Sequence, residues 1–531
     1  MPIKINNIRL ELGESEEGLP AKIASRLELP EGAIVGWRIL RKSLDARGHD
    51  DIHFTYSAAV DLAGADLARF GSTSSPDLQT YVPARFTWPE PGSRRPSHRP
   101  VIVGSGPAGL IAGYLLARDG YRPLILERGR AVKDRVADVR RFDQHGPLDP
   151  ESNYLFGEGG AGTFSDGKLT SRGTGPDVTR VLEILAECHG KPSIIYENRP
   201  HLGSNRLPFV VRTLRRKFES LGGEIRFSCR VDDLDIVDGR LRGLATSSGC
   251  VPAEVAILAI GHSARDTYGM LLRRGVPMEA KPFQLGVRIE QPQAPIDRVR
   301  YGASAGHPAL GAADYSASVR TGRRDLFTFC MCAGGYVMPS VSDPGYFCTN
   351  GMSESRHDSP FANSGLVVTV LPAETGSTHP LAGIHYQQRV ERLSYLAAGR
   401  SYEAPLQWAR DFLAGKSSRG QIPTSHRRGG RPTDLDLFLP EPILATLLTG
   451  LPLLDRRFGG RFLEDATLTG PESRGSSPVR IMRDPRTRES PGVAGLYPCG
   501  EGAGYAGGII SAAVDGLRTA RAIVAAYANS P

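Results

Sequence analysis

Val101-Ile102-Val103-Gly104-Ser105-Gly106-Pro107-Ala108-Gly109-Leu110 is an apolar strand that ends in G-x-G-x-x-G and runs into a helix-like segment. A second apolar run, Leu124-Ile125-Leu126, follows it and ends on Glu127. Strand, glycine turn, helix and acid in that order form the full context of a dinucleotide-binding unit, not a bare motif. Gly104 allows a tight turn, Gly106 lets the backbone approach a pyrophosphate at the helix N-terminus, and Gly109 lets helix and strand pack closely. Glu127, about 20 residues past the glycines, is placed to accept the adenosine ribose hydroxyls. Pro107, Ala108 and Arg128 belong to the same expected cofactor-binding set.

Which dinucleotide is meant is decided at the other end of the chain. Leu496-Tyr497-Pro498-Cys499-Gly500-Glu501-Gly502-Ala503-Gly504-Tyr505-Ala506-Gly507-Gly508-Ile509 is again an apolar run, a glycine-rich turn and the start of a helix. FAD extends further than NAD and needs a second helix N-terminus to cover its flavin end. Val255-Ala256-Ile257-Leu258-Ala259-Ile260-Gly261-His262 reads as a strand and glycine turn that closes the same domain. The three pieces point to FAD, with Val231, Gly261, Gly500, Glu501, Gly507, Gly508 and Ile509 added to the binding set.

Further stretches carry a closer resemblance. Leu155-Phe156-Gly157-Glu158-Gly159-Gly160-Ala161-Gly162-Thr163-Phe164-Ser165-Asp166-Gly167-Lys168-Leu169 is one. Phe329-Cys330-Met331-Cys332-Ala333-Gly334-Gly335, Asn350-Gly351-Met352-Ser353 and Ser473-Arg474-Gly475-Ser476-Ser477-Pro478-Val479-Arg480 are the others. From about residue 100 to the C-terminus the chain resembles a family of FAD-dependent dehydrogenases with a glutathione-reductase-type FAD-binding fold and an extra N-terminal domain. The resemblance implies a flavoprotein oxidoreductase. It also places Gly159, Gly160 and Gly162 beside the cofactor.

A chain of 531 residues, 40% hydrophobic and 23% charged, has the size of two or three domains and an ordinary globular composition. Its seven cysteines are odd in number and lack a C-x-x-C, which suits reduced thiols better than a disulfide framework. The N-terminus has no apolar signal core and no run spans a bilayer, so a cytoplasmic, non-membrane protein is expected. The net charge of +8 is spread along the chain without a basic stripe, and no nucleic-acid partner is expected. No metal site is expected either.

The expected fold class is α/β: a Rossmann-type FAD-binding domain, an inserted α+β substrate domain and a small N-terminal α+β domain. Residues 1–95 hold the N-terminal domain, whose β-α-β-β order suggests a ferredoxin-like unit, and a linker containing Pro89 and Pro91. Residues 96–270 begin the FAD domain, 271–480 are the insertion, and 481–531 return to the FAD domain. Helices are expected at 177–188 and 208–221, and an alternating stretch from Glu224 to Ala245 turns at Asp238-Gly239. No second complete G-x-G-x-x-G occurs between 271 and 480, so no separate NAD(P)H domain is expected.

Four residues are candidates for catalysis. Lys168 suits charge balance on a reduced flavin, or pairs with Asp166 within its loop. Arg474 and Arg480 suit a planar anion on a small-molecule substrate, or internal salt bridges. His262, after the closing glycine turn, is an acid or base, or a hydrogen-bonding loop residue. Cys330 and Cys332 are read first as packing residues and otherwise as a redox or metal pair; Cys499 is a small buried residue or a flavin attachment point. The reading favoured is an FAD-dependent oxidoreductase acting on a small organic molecule. An FAD-containing RNA-modifying or RNA-binding protein, or an interaction protein with structural FAD, are the alternatives.

Overall fold

A computed structural model describes residues 2–63, 75–171, 173–322 and 324–529. Its centre is a five-stranded parallel sheet made of Val101–Val103, Leu124–Leu126, Glu224–Arg226, Ala256–Leu258 and Leu496–Pro498. Numbered along the chain, these strands lie in the spatial order 3-2-1-4-5, the arrangement that reverses direction beside the first strand and opens a crevice there. Val101, Ile102 and Leu124 to Leu126 are almost wholly buried, which explains why such short strands read as continuous apolar runs. The helices Pro107–Arg118, Leu207–Ser220 and Ile509–Ala526 cover one face.

The helices expected at 177–188 and 208–221 form as Pro176–Glu187 and Leu207–Ser220. The stretch from Glu224 to Ala245 divides. Glu224–Arg226 joins the parallel sheet, whereas Val231–Val237, Arg240–Thr246 and Gly249–Pro252 build a separate antiparallel sheet. Its first hairpin turns at Asp238-Gly239, both with positive φ (51° and 68°), as a tight primed turn requires.

Between the fourth and fifth parallel strands the chain builds a seven-stranded sheet. In spatial order its strands are Ser318–Arg320, Asp325–Cys332, Phe361–Val370, Phe283–Pro292, Thr467–Glu472, Ala404–Trp408 and Gly430–Pro432. Phe283, Leu285, Val287 and Ile289 on its long central strand are fully buried with Leu447, Leu451 and Leu454 of the Glu441–Arg457 helix. A two-stranded ribbon, Met278–Ala280 with Val479–Ile481, lies where the chain leaves and re-enters.

At the N-terminus, Ile34–Asp45, His53–Leu62, Ile3–Glu11 and Leu78–Thr80 form an antiparallel sheet in that spatial order. The Leu19–Leu27 helix packs on it through Leu19, Ile23 and Leu27. The order agrees with the ferredoxin-like expectation, though part of the connection to the last strand, residues 64–74, lies outside the described residues. Ala46 and Ile52 of this unit share a core with Ile296, Tyr301, Met331 and Ala333. The proline-rich segment is docked: Phe86 and Trp88 pack against the helical core, and the Trp88 indole donates to Asp119.

Candidate cofactor and active site

The glycine turns converge on one cavity of about 420 Å³. Two helix N-termini reach it: Gly106, Pro107 and Ala108 from one helix, Gly508 and Ile509 from the other. Both leave N–H groups without intrahelical partners, and their dipoles favour an anion there. The helices cross so closely that a Cβ at Gly516 would collide with the carbonyl oxygen of Ala108. Gly109 does not line the cavity; a Cβ there would strike the Gly104 carbonyl, in keeping with close strand–helix packing. Gly104, Gly160, Gly162, Val231, Gly261, Gly500, Glu501 and Gly507 all line the cavity.

Glu127 also lines it, 5% exposed, but both carboxylate oxygens are engaged. Oε2 accepts from Ser105 N and Oγ at 2.9 and 2.7 Å, and Oε1 from the N–H groups of Gly129 and Gly157 at 2.9 and 3.0 Å. A ribose hydroxyl would therefore have to replace the Ser105 hydroxyl. Arg128 stands at the cavity wall over the Phe156 ring, held by Glu151 and Asp266.

The glycine loop after residue 155 is shaped by a residue the sequence reading did not single out. Arg135 is wholly buried, and its guanidinium donates to the carbonyls of Asn153, Tyr154, Gly157, Glu158 and Gly160 at 2.8 to 3.2 Å. Burial lowers its pKa while Glu127 and Glu158 oppose that shift. Glu158 in turn accepts from Val132 N and Arg215, both at 2.7 Å. Gly159 lies behind the cavity wall, where a side chain would meet Thr163.

Where the seven-stranded sheet reaches the cavity, its Phe329 and Cys330, with Asn350 from the strand Thr349–Ser353 of a separate two-stranded sheet, line it together with Asp166, Gly167 and Lys168. Lys168 Nζ lies 3.2 Å from Asp166 Oδ2. Asp166 Oδ1 accepts from Ser353 at 2.6 Å, and His201 Nε2 is 3.7 Å from Oδ2. Burial alone would raise the Asp166 pKa, but Lys168 and His201 hold it below the ordinary value; burial lowers that of Lys168, and Asp166 more than reverses this.

The other three catalytic candidates separate. His262 lines the cavity with Nδ1 3.3 Å from Glu501, and its buried Nε2 has no hydrogen-bond partner among the described residues. Arg474 reaches the cavity wall, but its fork is occupied by the buried Glu391. Arg480 is outside the cavity, on the ribbon, paired with Glu279 at 3.0 Å. For both arginines, the internal salt bridge is the arrangement observed. Cys499 is fully buried and lines the cavity beside Gly500, whose N–H donates to Asp515 at 2.7 Å.

Arg265, Arg288, Glu391, Glu472 and Asp515 were also not singled out. Each is an internal ion-pair partner whose mate lies far along the chain, so no local spacing signals it. Among the described residues no helix is long and apolar enough to cross a membrane.

The glycine-lined cavity between two helix N-termini fits an extended dinucleotide, and comparison with known proteins agrees. Residues 282–475 match the model of the FAD-dependent protein, C-terminal domain-like family; residues 102–158 match the NAD(P)-binding Rossmann-like domain, and residues 2–61 a domain of unknown function. The chain is similar to Protein FixC of Salmonella typhi, 27% identical over 225 residues that cover 40% of this chain and 48% of that protein. Among solved structures, glycine oxidase from Bacillus cereus is 13% identical with a TM-score of 0.32, covering 80% of this chain and 95% of its own. L-proline dehydrogenase from P. horikoshii is 10% identical with a TM-score of 0.33, covering 81% and 93%. An uncharacterised protein of Clostridium beijerinckii is 40% identical over 528 residues, 99% of each chain. The chain belongs to the same family as that protein, a family of FAD-dependent proteins.

Proposed function

We propose that this flavoprotein is an oxidoreductase that turns over a small organic substrate where Lys168, Phe329, Cys330 and Asn350 meet. Bound FAD supplies two-electron chemistry at its isoalloxazine ring. The N–H groups of Gly106 and Ala108 would hold the pyrophosphate, and those of Gly508 and Ile509 would cover the flavin end. Ser105 and Glu127 would serve the ribose, and Val231 would border the adenosine end. The observation that carries the reading is the Lys168–Asp166 pair at the cavity wall, whose carboxylate is buried and whose lysine side chain is partly exposed. A fixed ammonium there stabilises negative charge that develops nearby. His262, against Glu501, is the proposed proton carrier.

Residues 271–480 are proposed as the substrate-bearing domain, 1–95 as an accessory domain with its docked linker, and 96–270 with 481–531 as the FAD domain. The cytoplasm is the proposed location. With Arg474 engaged by Glu391 and Arg480 outside the cavity, neither is assigned to substrate; Arg474 becomes a positioning residue.

The test is anaerobic reduction followed by flavin bleaching across a panel of small organic donors. The purified protein should be yellow and release FAD on denaturation. Lys168→Met should stay yellow yet bleach about 10²-fold more slowly with the active donor, in line with loss of one preorganised charge. Release of FMN or NAD, or an unchanged rate in Lys168→Met, would overturn the assignment.

A further inference from the structure

We propose that Cys330 and Cys332 form a dithiol–disulfide couple that exchanges two electrons with the flavin. The proposal rests on FAD occupying the cavity that Cys330 lines. The strand Asp325–Cys332 pairs regularly with Phe361–Val370 as far as Phe329 opposite Gly365, but the next pair is Cys332 opposite Asn363. One extra residue is therefore inserted between them, a bulge that bends the strand and re-aims its side chains. Cys330 sits in it with φ 45°, a left-handed conformation that a non-glycine residue rarely adopts and that often marks a functional site.

The two thiols have different surroundings. Cys330 is partly accessible from the cavity, while Cys332 is fully buried behind it. The Cys332 thiol donates to the Cys330 carbonyl at 3.3 Å. Gly351 makes room for it, since a Cβ there would come within 2.8 Å of the Cys332 sulfur. Two cations face the pair: Lys168, and Arg288, which donates to the Cys330 carbonyl at 3.3 Å. Each has its own carboxylate, Asp166 and Glu472, with His201 and His357 beyond Asp166. The Cys332 hydrogen bond, then Lys168 and Arg288, holds the Cys330 thiol below the ordinary cysteine value; burial pushes Cys332 above it. Such an asymmetric pair has one sulfur suited to be the thiolate and the other to keep its proton.

The step balances without a further reactant. In the reducing direction the Sγ–Sγ bond breaks and each sulfur gains one of two electrons given up by reduced flavin. The single proton released with them goes to Cys332, and Cys330 remains a thiolate beside Lys168. In the opposite direction the Cys330 thiolate and the Cys332 sulfur form the Sγ–Sγ bond, and the two electrons pass with the Cys332 proton to the oxidised flavin, which would be left reduced and anionic.

The test uses full-length holoprotein. After mild oxidation with diamide and alkylation, the peptide containing both cysteines should be 2 Da lighter than its dithiol form and unalkylated, and dithiothreitol should reverse both changes. Anaerobic dithionite titration of the oxidised protein should consume four electrons per FAD in the wild type and two in Cys330→Ser and Cys332→Ser. Wild-type protein that carries FAD but shows no 2 Da loss and takes up two electrons would overturn the proposal while leaving the flavin assignment intact. Wild-type protein without FAD would fail the flavin assignment and with it the proposed electron exchange. Both wild-type readings stand if either variant fails to fold.

Discussion

Arg474 and Glu391 share two buried hydrogen bonds, Nη2 to Oε2 at 2.9 Å and Nε to Oε1 at 3.2 Å. Arg265 grips the same carboxylate at 2.7 and 2.8 Å, and Ser473 adds a fifth hydrogen bond. Burial raises the Glu391 pKa, but the two guanidinium groups hold it far below the carboxylate range. Arg474→Met removes one of two cations from a charge that cannot reach water. It should cost on the order of 3 kcal/mol, read as an earlier urea midpoint, whereas Glu391→Gln leaves the half-buried Asp343 alone to balance two buried arginines and should be worse. Equal midpoints for wild type and Arg474→Met would contradict this.

Gly516→Val should separate the two helices that frame the cofactor cavity. Its Cβ would meet the backbone of Ala108, which can move only with its helix. The expected outcome is loss of bound FAD with far-UV dichroism largely kept; full flavin content would show that the helices can part without opening the site.

Arg135→Met should abolish the glycine loop without touching a cofactor contact. Five carbonyls lose their donor, each buried acceptor costing about 1–3 kcal/mol when left unpaired. A colourless or aggregated variant is expected, with partial retention in Arg135→Lys, whose ammonium cannot serve so wide an arc. Full FAD occupancy in Arg135→Met, measured by absorbance after denaturation, would refute this role.

Acid should weaken the fold well before the carboxylates titrate. Burial lowers both His201 and His426 from 6.5 to about 4. Unfolded rings therefore bind protons that folded rings refuse, so stability is full above about 6.5 and falls as the pH drops towards 4. The loss approaches about 3 kcal/mol per ring by pH 4. His426→Phe should flatten the fall in urea midpoint between pH 7 and 5, and an unaltered slope would place its cause elsewhere.

A chain beginning at Tyr81 should retain FAD, and one beginning at Arg95 should be less stable. The difference is Phe86 and Trp88, packed on the helical core, where losing two such rings costs on the order of 2–4 kcal/mol. Flavin content and thermal midpoint in the two truncations decide the matter.

The cradle was legible because its constraint is local: the chain must turn into a helix after Gly104 and at Gly508, whose φ values of 101° and 114° favour glycine. The split after Arg226 was not, since a three-residue edge strand has no period to read. Arg135 was hidden for another reason. Its partners are carbonyls, which every residue carries, so no side-chain pattern marks them. Arg474 left two readings open, and the choice depended on Glu391, a partner on a helix that precedes it by many turns of chain.

The crossing of Ala108 over Gly516 has a consequence for biogenesis. One helix is synthesised long before its partner. Domains form as synthesis proceeds, but this cradle lacks its second helical wall until Ile509–Ala526 has left the ribosome. Flavin capture must therefore await the second helix, and a chain stopped short of Ile509 would have every residue of the first glycine turn and nowhere to seat the cofactor.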